Sequence, residues 1–201
     1  MPQADAQETE AHVQTGQTLR SPNHTLSRIF FDEDGATIFT ADLQLSSLAN
    51  ESANLYGGKV MLMTAGHRQI GAGVHLLPKE ISVPKFGKDS KVSFASAGMY
   101  LGGEENDRDL TQFWSGIMLG IARITARNTD QGDLSSLRFF TEPEIGLGLK
   151  ITDSIRIGTS VSGRWVWGDF SRYGDKNFDA WSANITIRIG NYLRTCDRCG
   201  I

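Results

Sequence analysis

The chain has 201 residues and a formal net charge of −3, with 20 Lys and Arg set against 23 Asp and Glu. That length suits one domain, and without a cationic excess it is not suited to a nucleic-acid partner, because phosphate binding needs clustered Lys and Arg. The mean hydropathy of −0.27, with no apolar run of ~20 residues, excludes a helical membrane span. It decides nothing about a β-barrel, whose strands alternate lipid-facing apolar with lumen-facing polar residues.

Residues 1 to about 25 are rich in Gln, Glu, Thr and Ser and lack periodicity, which predicts a flexible polar arm. Met1-Pro2-Gln3 leads into this stretch without the apolar centre of an export signal. The expectation is that a signal has been removed or that the chain is not exported. Leu26 to Phe31 reads as a short strand or as a segment packed into the mouth of a barrel, and Asp32-Glu33-Asp34-Gly35 ends it with a turn signal.

A period-2 pattern then sets in. The first strand is expected over Ile38 to Leu45, with Phe39, Ala41, Leu43 and Leu45 on one face and Thr40, Asp42 and Gln44 on the other. Further strands follow at about 58–65, 69–77 and 92–101. The stretch Phe113 to Ala126 fits a helix face as well, through Phe113, Ile117, Ile121 and Ile124. Gly116 and Gly120 favour a strand, since each would weaken a helix by about 1 kcal/mol. The last three strands are the clearest. In Phe139 to Ile151 the apolar residues Phe139, Ile145, Leu147, Leu149 and Ile151 occupy odd positions. After the turn at Thr152-Asp153-Ser154, the odd residues from Ile155 to Trp167 oppose Arg156, Ser160, Ser162 and Arg164. In the final strand Trp181, Ile185, Ile187 and Ile189 oppose Ser182, Asn184, Thr186 and Arg188. Such two-sided alternation is a strong β signal.

These elements predict an all-β fold, an antiparallel up-and-down barrel of about eight strands. It would span residues 26–193, between the arm and a short tail at 194–201. Long connections are expected near 46–57, 79–91, 127–136 and 168–179, tight ones near 66–68 and 152–154, and an exceptional one at 102–110. The tail carries Cys196 and Cys199 as a lone C-x-x-C, without the further ligands of a zinc site or the helix of a redox motif. No metal or cofactor is expected.

The polar faces collect Asp42, Glu142, Glu144, Lys150, Arg156, Arg164 and Arg188. A small barrel is filled by its own side chains, and a buried charge without a partner is costly, so these residues are expected to pair inside the lumen. Trp165, Trp167 and Trp181 flank the 168–179 loop and predict an aromatic girdle at one rim. Tyr100, Trp114 and Tyr192 are assigned to the other.

The segments 113–123, 143–158 and 180–190 resemble the small outer-membrane β-barrel superfamily of Gram-negative bacteria, the OmpA-like and porin-like eight-stranded group. The resemblance implies a bacterial outer-membrane location and contact with the lipid bilayer. It leaves function open, because one barrel fold hosts anchors, adhesins and enzymes. The expected role is non-enzymatic, structural or partner-binding, with loops such as 168–179 meeting envelope proteins or glycans, or with the barrel a subunit of a larger envelope assembly. Two alternatives stand beside it. With its faces inverted, the chain would be a soluble lipocalin-like barrel holding an apolar ligand. As a rim hydrolase it would use His75 as base with Ser93. Glu142 with Glu144, ~7 Å apart on one strand, is a poor glycosidase pair.

Overall fold

The computed structural model describes residues 36–64, 67–106, 110–130, 132–168 and 178–190. The expected arm, Leu26 to Phe31, Tyr192, both cysteines and most of the 168–179 loop lie outside those residues. The described chain forms β1 (Ala36–Leu48), β2 (Glu51–Met63), β3 (Arg68–Leu76), β4 (Ile81–Ser82), β5 (Lys91–Asn106), β6 (Thr111–Thr129), β7 (Gly132–Lys150), β8 (Ile155–Trp167) and β9 (Ala180–Gly190). β4 is a two-residue piece lying on the start of β5. The other eight pair antiparallel with their chain neighbours, β3 pairs with β5, and β9 returns to β1, so the barrel is closed.

The ambiguous segment is a strand, β6, held in register by β5 along one edge and β7 along the other. A helix there would have left both neighbours with unpaired backbone groups. β7 carries Pro143, and the β7–β8 ladder is interrupted there: Thr141 pairs with Trp165, and pairing resumes at Glu144 with Ser162. Proline has no N–H to give, so the gap falls where the sequence requires it.

Two of the expected long connections are absent. The 46–57 stretch is strand on both sides of a two-residue turn, Ala49-Asn50, with Leu48 opposite Glu51. Both turn residues have positive φ, 51° and 69°, the requirement of the tight hairpin turns that match strand twist. The 127–136 stretch is likewise the tip of the β6–β7 hairpin, with an irregularity between Ala126 and Thr129. The 102–110 stretch is mostly strand, since β5 continues to Asn106.

One end of the barrel therefore carries the short connections at 49–50 and 130–131 and the longer ones at 77–90 and 168–179. The other carries the short connections at 64–67, 107–110 and 151–154 and the outer ends of β1 and β9. At the long-loop end the lumen is apolar. Leu48, Leu55, Phe94, Ile124 and Phe140 are buried there, and the short 3-10 turn Pro84–Phe86 folds over them. Phe86 stacks on Phe178 at 6.4 Å within the same buried cluster. Ile38, Met61 and Met63 are buried at the opposite end.

Candidate functional site

Between these apolar ends the lumen is a stack of paired charges. The buried charged residues among those described are the carboxylates of Asp42, Glu104, Glu142 and Glu144 and the cations of Lys59, Arg156, Arg164 and Arg188, with His75 beside them. Equal numbers of each sign let a narrow barrel bury them, because each charge finds an opposite one within reach.

The layer nearest the long-loop end is built on Glu142. Arg164 Nε reaches it at 3.1 Å, the Ser162 hydroxyl donates to it at 2.8 Å, and the Gln44 amide donates to it as well. Arg164 also donates to Gln44 Oε1 at 3.0 Å and lies over the Phe94 ring at 4.8 Å.

The middle layer is built on Lys59, whose Nζ is 2.5 Å from Glu144 and 3.5 Å from Asp42. Ser160 and the Trp114 indole N–H donate to Glu144 at 2.7 and 3.2 Å. Thr186 donates to Asp42 at 2.9 Å, and His75 Nε2 lies 4.0 Å from the same carboxylate. In the third layer Glu104 takes Arg156 at 3.1 Å, Arg188 at 3.2 Å and the Gln69 amide at 2.6 Å.

Of the residues assigned to the lumen from sequence, Asp42, Glu142, Glu144, Arg156, Arg164 and Arg188 face inward in this stack. Lys150 does not. It is the last residue of β7, where the inner face meets the rim, and its Nζ pairs with exposed Asp153 of the following turn at 2.5 Å. Lys59 and Glu104 belong to the stack and were missed. Glu104 fell within the stretch read as a loop. Lys59 sits in a strand apolar on both faces, where it was itself the available mark of the inner one.

Outside, every strand of the closed barrel contributes large apolar side chains to solvent-facing positions, among them Phe39, Val60, Leu101, Ile121, Ile157 and Ile187. Soluble monomers rarely expose contiguous apolar patches beyond a few hundred Å², whereas a lipid-facing barrel needs such a band. No helix among the described residues is long and apolar enough to cross a membrane. The strands do so instead: β8 and β9 have 13 and 11 residues, against the roughly 9–11 that a tilted membrane strand requires.

At the long-loop end Trp165, Trp167 and Trp181 project outward, and Trp165 meets Trp181 edge-on at 6.1 Å. The expected opposite girdle is corrected. Tyr100 and Trp114 are buried inside the lumen, 1% and 5% exposed. The Trp114 ring lies against Gly146 and Gly158, where a Cβ would meet it at 2.2 and 2.5 Å, and carries Arg188 over its face at 4.8 Å. Those glycines leave the space for an inward indole. Phe113 and Phe39 hold the outward positions toward that end.

The hydrolase pair is not assembled. His75 points into the lumen opposite Ser96, while Ser93 lies at the opposite parity of β5, opposite Thr125. Glu142 and Glu144 are each occupied by a cation and hydroxyl donors. The inverted, lipocalin-like arrangement is also not found, since Ile157 is outside and Ser160 inside.

No protein-family model matches the chain, and no curated protein matches its sequence. Solved structures do match. Neisserial surface protein A is similar over 78% of this chain and 96% of its own, with a TM-score of 0.55 and 10% identity. A major outer membrane protein from Thermus thermophilus is similar over 77% and 99%, with a TM-score of 0.50 and 9% identity. The fold is that of the small outer-membrane β-barrels. At this identity the likeness extends to the fold, and the membrane placement is carried by the chain's own apolar band.

Proposed function

We propose that the protein is a non-enzymatic, non-conducting barrel of the bacterial outer membrane that acts as an anchor presenting its long-loop rim to a partner. The carrying observation is the pairing of a lipid-facing apolar band with a lumen filled by mutually neutralised charges. A surface of the first kind suits bilayer insertion. An interior of the second kind has its titratable groups engaged with one another, whereas catalysis needs some of them free to meet a substrate.

Partner contact would then fall to the rim. The tall β6–β7 hairpin and the 77–90 connection stand there, and the sequence that joins β8 to β9 at that end mixes Phe170, Tyr173 and Phe178 with charges of both signs. Such a mixture suits a protein or glycan surface, and membership of a larger envelope assembly is one form this role takes.

Single cysteines at Ile157, Ile187, Ser160 and Thr186, in a chain lacking Cys196 and Cys199, test the placement. A water-soluble thiol reagent should label positions 157 and 187 in detergent-free unfolded chain and fail to do so once the barrel is in phospholipid vesicles. A thiol-reactive lipid-soluble probe should then reach 157 and 187 and miss 160 and 186. Protein that stays monodisperse without detergent, with 157 and 187 protected in plain buffer, would overturn the membrane reading.

A further inference from the structure

The outer face carries a feature that the apolar band does not require. An open groove of about 640 Å³ crosses β5 to β8 toward the end where β1 begins. Its apolar sides are Phe113, Ile145, Leu147 and Val161, with the small residues Gly103 of β5 and Ser115 opposite it on β6 also in its lining. Two charges stand at that same end. Glu105 lines the groove, and Arg68 on β3 pairs opposite Gly103. Arg68 and Glu105 are thus diagonal neighbours on adjacent strands, about 7–8 Å apart by sheet geometry. Both are exposed, and neither has an ion-pair partner among the described residues.

A cation and an anion side by side, at the edge of a lipid-facing band and beside an apolar groove, are complementary to one kind of ligand. It would carry a phosphate and an ammonium next to each other and an apolar chain behind them. We propose that this is a binding site for a phospholipid with a primary-ammonium headgroup, a phosphatidylethanolamine. The proposal rests on the membrane reading above. Arg68 would hold the phosphate, for which a guanidinium offers a fork of donors. Glu105 would accept hydrogen bonds from the ammonium, which a quaternary choline cannot donate. An acyl chain would lie between Phe113 and Ile145.

The site makes a headgroup prediction that general lipid contact does not. The full chain, refolded in detergent micelles, would be offered equal amounts of dioleoyl phosphatidylethanolamine, phosphatidylcholine and phosphatidylglycerol, and retained lipid read by native mass spectrometry. Wild-type protein should retain phosphatidylethanolamine about tenfold over the other two, the scale of one charge-assisted contact. Glu105→Gln should bring phosphatidylethanolamine down to the level of phosphatidylcholine, and Arg68→Gln should lower retention of all three. Equal retention by the wild type overturns the site, as does a preference for phosphatidylglycerol or a preference unchanged by Glu105→Gln. The wild-type comparison decides even where a variant does not refold. Failure to insert into vesicles would overturn the membrane reading, whereas insertion without headgroup discrimination overturns this site alone.

Discussion

Arg164 has a side chain with no solvent exposure at all, and its charge is tolerated because Glu142 and Gln44 meet it on two sides. Removing one partner of such a pair leaves the other stranded, at a cost of about 3–5 kcal/mol, while removing both can be close to neutral. Glu142→Leu should therefore destabilise the barrel by about that amount, and Glu142→Leu with Arg164→Met should recover most of it. Urea unfolding from vesicles, followed by tryptophan fluorescence, measures both; equal losses in single and double variants would mean that the pair carries the stability itself. This scale also shows why Tyr100 and Trp114 were misassigned. Each lies toward an end of the strand expected from the sequence, 92–101 or 113–126, where a girdle aromatic belongs, but strand parity outranks height, and β5 runs on to Asn106, which leaves Tyr100 well inside it. Phe113 and Trp114 are consecutive, so one of them must face inward, and the apolar run Phe113, Ile117, Leu119, Ile121 shares the parity of Phe113. The glycines at 146 and 158 were a second sign, legible only once β6, β7 and β8 were known to be neighbours.

At the level of strands, alternation was legible because it records a physical asymmetry, lipid on one side and paired charges on the other. It identified β8 and β9 nearly to their ends and the later part of β7, whose first residues, 132–138, precede the expected start at Phe139. It failed at the turns, since Ala49-Asn50 and the tip at 130–131 lack the Asn-Gly or Asp-Gly signal of a tight hairpin, and polar residues at 46–57 and 127–136 looked like loops. The asymmetry can be measured on one strand pair. Ile185 lies midway along β9 and faces outward, while Thr37 faces outward at the start of β1. An arginine at mid-bilayer on the lipid face costs about 2–4 kcal/mol, and near the interface about 0–1. Ile185→Arg should show the larger loss in vesicle unfolding and Thr37→Arg the smaller. Two equal small effects would place the outer face in water.

For the whole barrel, the question is whether a closed ring of eight strands encloses a path. Eight strands leave an interior just wide enough for side chains, and here three charge layers and two apolar ends use it. The space left among Lys59, Tyr100, Trp114, Glu144 and Arg188 is about 10 Å³, which is room for a single water at most. An ion moving along the axis would have to part pairs such as Lys59–Glu144 and Arg156–Glu104. Each parted pair leaves charges in a medium that solvates them poorly. The barrel should accordingly give no unitary currents in planar phospholipid bilayers at moderate voltage, measured on protein that passes the thiol-protection test of insertion described above. Stepwise currents from the wild type would show that the charge layers open together. The interior would then be a gate and no longer a plug. Silence from a protein shown to be inserted leaves the lumen as the barrel's internal brace and moves the search for its partner to the long-loop rim.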